Sequence, residues 1–149
     1  MGTYTPPGHW NRFASDLIIK YRLNPLRAAR VLAYLNMAMD DAGIACWDAK
    51  YYYHYPRPIQ TIPGFKTILG TPNFPSYTSG HSTFSFAGAT VLSHFFPEEE
   101  GVLTGYAEEA AISRMYAGIH YRFDVEAGKQ QGISVGNYSV DVAKEDGGE

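Results

Sequence analysis

The hydrophobic pattern of this chain has a helical period along most of its length. The clearest example begins at Asn24-Pro25, an N-cap residue followed by proline at the first helical position. Apolar residues then recur at steps of three and four, at Ala28, Val31, Leu32, Leu35, Met39, Ala42 and Cys46. This spacing gives a helix one apolar face. Similar periodic and capping patterns predict four further helices, over residues 9–20, 79–96, 97–118 and 123–135. Strand patterns are nearly absent, so the sequence predicts an all-α helical bundle.

Proline and glycine divide the chain into helices and loops rather than into domains. Pro56 and Pro58 end the second helix, because proline cannot continue the helical hydrogen-bond pattern. The following loop, 60–78, is long for a compact domain, and long loops are often functional. We expect residues 1–136 to form a single helical domain. Residues 137–149 are polar and glycine-rich at their end, which predicts a flexible, frayed tail.

Composition excludes several classes of protein. Of 149 residues, 45% are hydrophobic, 15% aromatic and 18% charged, which is typical of a packed globular chain. The net charge of −3 and the lack of a basic stripe argue against nucleic acid as a partner. Cys46 is the only cysteine, so no disulfide can form within the chain. No run of 18 or more apolar residues occurs, and a membrane span is not predicted.

Three cationic side chains are candidates for a common site. Lys50 continues the apolar face of the second helix, although a lysine at a helix end can also extend to solvent. Arg57 lies between two prolines that stiffen its backbone, and Arg114 projects from a face of small residues. Three buried cations repel one another unless an anion or carboxylates compensate them. Pairing with carboxylates would make the cluster merely structural. The candidate carboxylates are Asp40, Asp41 and Asp48.

The Ser79-Gly80-His81 turn is predicted to begin a helix. The start of a helix exposes unpaired N–H groups and partial positive charge, which attract anions. Ser79 could be only an N-cap, which explains a serine there without any ligand. Gly80 lets the backbone approach a ligand closely. The helix dipole would disfavour the charged form of His81. A bound oxyanion would reverse this bias, so that His81 could act as general acid and then as base.

His120 and Asp124 form the second titratable pair. With a spacing of four residues at the start of a helix, the carboxylate can accept a hydrogen bond from one imidazole nitrogen. The other nitrogen then presents its lone pair outward, as a nucleophile or a metal ligand. An ordinary His–Asp surface pair is the alternative. Zinc is disfavoured, because no second histidine or carboxylate lies at ligand spacing around the pair.

Other conspicuous residues are expected to be structural. Residues 51–55 are rich in tyrosine and contain His54, and we expect these rings to pack in the core or at the mouth of a site. The three acids at 98–100 suit the first turn of a helix rather than a metal site. His9 and His94 fit no motif and are expected to be structural.

Together these motifs resemble a superfamily with the signature K-x6-RP, PSGH and SR-x5-H-x3-D. It comprises type 2 phosphatidic-acid phosphatases, bacterial class A acid phosphatases and vanadium-dependent haloperoxidases. The first and third parts are matched without a gap, by Lys50-x6-Arg57-Pro58 and Ser113-Arg114-x5-His120-x3-Asp124. The middle part is PSYTSGH at 75–81, with Thr78 in place of the usual proline.

The resemblance implies a helical bundle of the acid phosphatase and haloperoxidase type, and a role for each residue. His120 would attack phosphorus and form a phosphohistidine, or bind vanadate at its apex. Asp124 would orient His120, and His81 would be the acid–base catalyst. The oxygens would be held by Lys50, Arg57, Ser79, Gly80 and Arg114.

Two chemistries share such a site. Hydrolysis of a small phosphoric monoester needs no cofactor and only the residues named, so we rank it first. The alternative is a haloperoxidase, which needs vanadate and acts on halide and hydrogen peroxide. A third possibility is a non-catalytic module that binds phosphate or sulfate. The residues around the motifs resemble the haloperoxidase branch, whose members are usually longer. The chain is therefore expected to be the C-terminal part of a longer protein. The resemblance further implies a periplasmic or secreted location and allows a homo-oligomer.

Overall fold

The computed structural model describes residues 5–148, and every regular element among them is helical. Five long helices are joined by short connections and one long loop. A one-turn helix, α3, lies before this loop, and a 3-10 turn at Pro97–Glu99 precedes α5. The helices are α1 (Pro6–Lys20), α2 (Pro25–Tyr53), α3 (Pro58–Thr61), α4 (Gly80–Phe95), α5 (Glu100–Tyr116) and α6 (Arg122–Glu145). The predicted all-α bundle is confirmed.

Local sequence sets the ends of the helices around the site. The side chain of Asn24 accepts a hydrogen bond from the Arg27 N–H at 2.9 Å and caps α2, as predicted. At the other end of α2, His54 adopts the left-handed conformation with φ 46°, and two prolines follow. Ser79 caps α4, where its hydroxyl accepts from the Ser82 N–H. The Ser79 cap holds the Ser79-Gly80-His81 motif at the start of α4, where backbone N–H groups are unpaired.

The central helix is α4, which packs against all four other long helices. Its closest neighbour is α6, whose contact face carries glycines at 128, 132 and 136. A Cβ at Gly132 would lie 2.3 Å from the Thr83 carbonyl oxygen, so only glycine allows this approach. The close packing brings the start of α6, with His120 and Asp124, beside the start of α4. This is the feature of the fold that assembles the site.

The prediction of a frayed tail from residue 137 was wrong, because α6 continues to Glu145. Its last turns have a buried face that packs on the bundle, with Ser139, Val140 and Ala143. The Ser139 hydroxyl donates to the Tyr34 carbonyl oxygen at 3.1 Å, and Asp146 forms an ion pair with Arg30 at 2.9 Å. Because most residues of this segment are polar, the narrow buried face of small residues could not be recognised from its composition.

The tyrosines of residues 51–55 do not pack in the core. Tyr51, Tyr52, Tyr53 and Tyr55 are all exposed. They contact other rings on the surface instead: Tyr53 meets Tyr77 edge-on at 5.1 Å between ring centroids. Of the two predicted positions, the core is therefore wrong, because α2 turns this end toward solvent, whereas a position at the mouth of a site stays a prediction. Among residues 5–148, no helix is long and apolar enough to cross a membrane.

Candidate active site

The predicted site residues lie at the ends of four long helices and beside α3. Lys50 lies in the last turn of α2, and Arg114 in the last turn of α5. Arg57 immediately precedes α3, and His81 lies in the first turn of α4. The Ser79 N–H donates to the Asp124 carbonyl oxygen at 2.9 Å, which ties the start of α4 to the start of α6.

The Asp124 carboxylate fixes the orientation of His120. Its Oδ2 lies 2.9 Å from His120 Nδ1, and both side chains are buried. The same oxygen accepts from the Ser76 hydroxyl at 2.5 Å and from the Tyr121 N–H at 3.1 Å. Since an ionised carboxylate only accepts hydrogen bonds, Nδ1 carries the proton. His120 Nε2 therefore keeps its lone pair.

Arg57 is the buried cation nearest to that lone pair. Its Nη1 lies 3.0 Å from His120 Nε2 and donates to the Ile119 carbonyl oxygen at 2.7 Å. Its Nε donates to the Phe74 carbonyl oxygen at 3.0 Å. Its Nη2 is buried and has no hydrogen-bond partner among residues 5–148. A buried, unpaired guanidinium N–H is costly unless a ligand satisfies it. Arg57 thus offers an unsatisfied N–H donor, on Nη2, close to the His120 side chain.

Lys50 is fully buried and contacts the backbone of the loop before α4. Its ammonium group donates to the carbonyl oxygens of Pro75 at 2.9 Å, Ser76 at 3.1 Å and Thr78. A lysine has three donors, and three carbonyls take them. Lys50 would have to release one of them to bind an oxyanion directly. In this structure it fixes the loop that leads to Ser79.

His81 and Arg114 form the other part of the site. Arg114 Nη1 lies 3.4 Å from His81 Nε2, and Arg114 Nε donates to the Ser113 hydroxyl at 3.0 Å. The backbone N–H groups of Gly80 and His81 lie in the first turn of α4, where no carbonyl within the helix can accept them. A Cβ at Gly80 would make only ordinary contacts of 3.7 Å, so helix packing alone does not require this glycine.

The three cations are not neutralised by the nearby aspartates. Within residues 5–148, no ion pair joins Lys50, Arg57 or Arg114 to a carboxylate of α2, and those side chains are exposed. Backbone carbonyls and the buried charge of Asp124 compensate Lys50 and Arg57. The alternative in which Asp40, Asp41 and Asp48 neutralise the three cations is therefore wrong.

Both histidines have pKa values well below the usual range. Burial, together with the nearby charges of Arg114 and His120, lowers the pKa of His81 to about 4. Burial also lowers the pKa of His120 to about 4, although its hydrogen bond to Asp124 acts in the opposite direction. Both imidazoles are neutral at pH 7, and the burial of Lys50 lowers its pKa to about 8.

Comparison with known proteins decides which family carries this arrangement. The family model of the PAP2 superfamily matches residues 30–146, which includes every motif residue above. The chain belongs to the PAP2 superfamily. Both an acid phosphatase and vanadium-dependent haloperoxidases are among its relatives.

Two of these PAP2 relatives are similar in sequence. The vanadium chloroperoxidase of Curvularia inaequalis is 26% identical over 121 residues, covering 62% of this chain and 20% of the relative. A non-specific acid phosphatase of Providencia stuartii is 30% identical over 115 residues, covering 73% of this chain and 46% of the relative.

A third relative is similar in structure. The crystal structure of a bacterial vanadium-dependent iodoperoxidase superposes with a TM-score of 0.86 at 35% identity, over 93% of this chain and 39% of that one. The chain thus spans less than half the length of each of these three relatives. That it is the C-terminal part of a longer protein stays a prediction.

Sequence reasoning missed two residues of this candidate site. Ser76 was counted only as part of the middle motif, yet it donates to the carboxylate that orients His120. His9 was expected to be structural, but it lines the same cavity as His81 and Arg114. Since His9 and Phe13 are four residues apart on α1, helical spacing places them on one face. This shared face of α1 was the sequence signal that could have indicated where His9 lies.

We expect Ser76→Ala to lower kcat about tenfold, because an orienting group is lost. Asp124 Oδ1 has no partner, so the donors on Oδ2 alone hold the carboxylate. The measurement is kcat as a function of pH, because a misplaced carboxylate also shifts the acid limb of this pH profile. Ser82→Ala is the matched control, because the Ser82 hydroxyl is buried without a partner. Equal kinetics for the two variants would contradict a positioning role for Ser76.

The two lowered pKa values predict a pH-dependent stability. In the unfolded chain each imidazole takes up a proton near pH 6.5, whereas in the folded protein His81 and His120 stay neutral to about pH 4. Because the unfolded state binds more protons between these values, the free energy of unfolding should fall as pH drops from about 6.5 to about 4. Urea unfolding from pH 7.5 to 4.5 measures this. The slope should decrease in an H81Q/H120Q double variant, and an unchanged slope would refute the assignment.

Proposed function

We propose that this chain hydrolyses phosphoric monoesters through a covalent phosphohistidine at His120. The observation that carries the proposal is the state of the His120 ring. Its Nδ1–H donates to the buried Asp124 carboxylate, which leaves Nε2 as a neutral nitrogen with a lone pair. Beside Nε2 lies Arg57, with a buried N–H that has no partner. A nucleophile next to an unsatisfied cationic donor suits the attack on a phosphate ester.

The phosphate group would be held by donors from three directions. Arg57 offers Nη2, and its Nη1 can turn from Nε2 to a phosphate oxygen when the ester enters. The first N–H groups of α4, at Gly80 and His81, add backbone donors and the positive end of a helix dipole. Arg114 adds a second guanidinium. Lys50 would act through the backbone of residues 75–78, which it anchors.

In the first step His120 Nε2 attacks phosphorus and forms the N–P bond. The bond from phosphorus to the ester oxygen breaks with its electron pair on that oxygen, and His81 donates a proton to it. The alcohol then leaves. With its pKa lowered to about 4 in the unliganded protein, His81 holds no proton at pH 7. The dianionic phosphate next to it raises that pKa, so the substrate itself would bring His81 to the acid form.

In the second step His81, now neutral, takes a proton from water as the water oxygen attacks phosphorus. The N–P bond breaks with its electron pair on Nε2, and orthophosphate leaves. Asp124 keeps the proton of His120 on Nδ1 throughout, so that Nε2 is regenerated as the neutral nucleophile. The negative charge on the equatorial oxygens of the phosphoryl group is balanced by Arg57 and Arg114.

A vanadate-dependent haloperoxidase is the second candidate. The observation that favours it is the likeness to the iodoperoxidase structure, at 35% identity over 93% of this chain. The site fits vanadate, because His120 Nε2 can coordinate it while the spare donor of Arg57 and the start of α4 bind its oxygens. Vanadate, when bound, would supply the Lewis acidity that activates peroxide toward a halide. His81 would hold or accept the proton that peroxide loses.

A pair of assays on the full-length protein separates the candidates. The first is hydrolysis of p-nitrophenyl phosphate without metal, where added vanadate should inhibit. The second is bromide or iodide oxidation by hydrogen peroxide after loading with vanadate. We expect hydrolysis in the first assay. Halide oxidation with no hydrolysis would favour the second candidate. Failure of both, with phosphate still bound, would favour a non-catalytic oxyanion-binding module.

A further inference from the structure

A cavity of about 530 Å³ opens directly beside the proposed acid–base histidine. His81 and Arg114 form part of its wall, so the cavity and the oxyanion site share these side chains. Its other walls come from α1, from α5 and from Leu69 of the long loop. The volume is within the range of cavities that enclose a small organic molecule.

Aromatic rings form another wall of this cavity. Phe13 of α1 stacks on Tyr106 of α5, with ring centroids 4.9 Å apart and planes inclined by 15°. Trp10 meets Phe13 edge-on at 5.4 Å. The three rings line the cavity. Trp10 is buried in the hydrophobic core, which holds this wall rigid. A flat apolar group can stack on such rings or meet them edge-on.

The charges around the cavity oppose a second anionic group. Arg114 lies at the end where the phosphate is proposed to bind, whereas the carboxylate of Glu109 and the imidazole of His9 line the cavity with exposed side chains. Glu109 would repel the additional phosphates of a nucleotide or the carboxylate of an acidic metabolite. The cavity therefore suits an uncharged group attached to a single phosphate.

We propose that this cavity binds the alcohol part of the substrate, and that the substrate is the phosphoric monoester of an aromatic or similarly flat apolar alcohol. The inference rests on the proposed hydrolysis. His81 must reach the ester oxygen to donate its proton, so the group attached to that oxygen lies next to His81. The cavity is on that side. Its aromatic wall then selects the leaving group, while the oxyanion site accepts any phosphoryl group.

The test compares 2-naphthylmethyl phosphate with glycerol 3-phosphate in the full-length protein, because both are esters of alkyl alcohols and differ little in how easily the alcohol leaves. We expect kcat/KM to favour the naphthyl ester by about tenfold or more. This ratio corresponds to the free energy of one buried aromatic contact. Tyr106→Ala should remove most of this preference and leave kcat/KM for glycerol 3-phosphate nearly unchanged. Tyr106→Phe should retain the preference. The matched control is Tyr116→Ala, because Tyr116 lies on the same helix, is 78% exposed and does not line the cavity.

A binding measurement separates this inference from the proposed reaction. Naphthylmethylphosphonate and methylphosphonate cannot be hydrolysed, and calorimetry gives the Kd of each. If neither ester is hydrolysed but the naphthyl phosphonate binds more tightly in a Tyr106-dependent way, the cavity assignment holds and the reaction fails. If both esters are hydrolysed equally well, or Tyr106→Ala leaves the preference intact, the cavity is not the leaving-group site. Equal affinity for the two phosphonates would also overturn the inference.

Discussion

Replacing His120 with alanine should reduce phosphomonoester hydrolysis by roughly 10⁴- to 10⁶-fold, the range seen when a covalent enzyme loses its nucleophile or the group that orients it. The reason is that no other described side chain offers an oriented, neutral nitrogen beside Arg57. Steady-state hydrolysis of p-nitrophenyl phosphate is the measurement. Some phosphate binding should remain, because Arg57 and the start of α4 are intact.

The matched control for this variant is His54→Ala. His54 is exposed at the end of α2 and makes none of the contacts of the site. Thermal melts of both variants check that the bundle is folded. If His120→Ala kept more than about a hundredth of the wild-type rate, the phosphohistidine route would be wrong, since water attack alone is far slower than covalent catalysis.

His81→Ala should slow hydrolysis by about 10²- to 10⁴-fold for esters of poor leaving groups, the usual contribution of a general acid. For p-nitrophenyl phosphate the loss should be much smaller, because p-nitrophenolate departs without a proton. The measurement is kcat for a series of aryl and alkyl phosphates, plotted against the pKa of the alcohol. The variant should show a steeper slope than the wild type.

His120→Ala is the comparison for this series. It removes the nucleophile, so its loss of rate should be large for every leaving group. The two variants are thus distinguished by the pattern of their losses and not only by their size. A His81→Ala variant with the same fractional loss for all esters would show that His81 does not protonate the leaving group.

Much of the fold could be predicted because it depends on local signals. The cap at Asn24 and the cap at Ser79 each rest on one side chain and a nearby N–H, and both were predicted. The period of α2 placed Lys50 on a buried face, and it is fully buried. The end of α6 was not predicted, because its docking depends on Asp146 meeting Arg30, a contact between distant parts of the chain.

The contacts of the site also fall into two groups, those that local sequence predicts and those that depend on distant parts of the chain. The His120–Asp124 hydrogen bond follows from a spacing of four residues and could be predicted. The bond from Ser76 to Asp124 and the three carbonyls around Lys50 could not, since both depend on the path of the long loop before α4. Helical periodicity says nothing about such a path. The contact of α1 with α5, through Phe13 and Tyr106, is likewise set by packing between helices.

The central claim is that His120 and the cations around it bind a tetrahedral oxyanion. Thermal and urea unfolding of the full-length protein with orthovanadate tests it most directly, because vanadate becomes five-coordinate and resembles the phosphoryl-transfer transition state. At a hundredfold excess over its Kd, vanadate should stabilise the wild-type fold by about 2.7 kcal/mol. His120→Ala should lose most of that stabilisation, and His54→Ala should keep it. A melting curve that does not move with vanadate, or one that moves equally in His120→Ala, would contradict the oxyanion site.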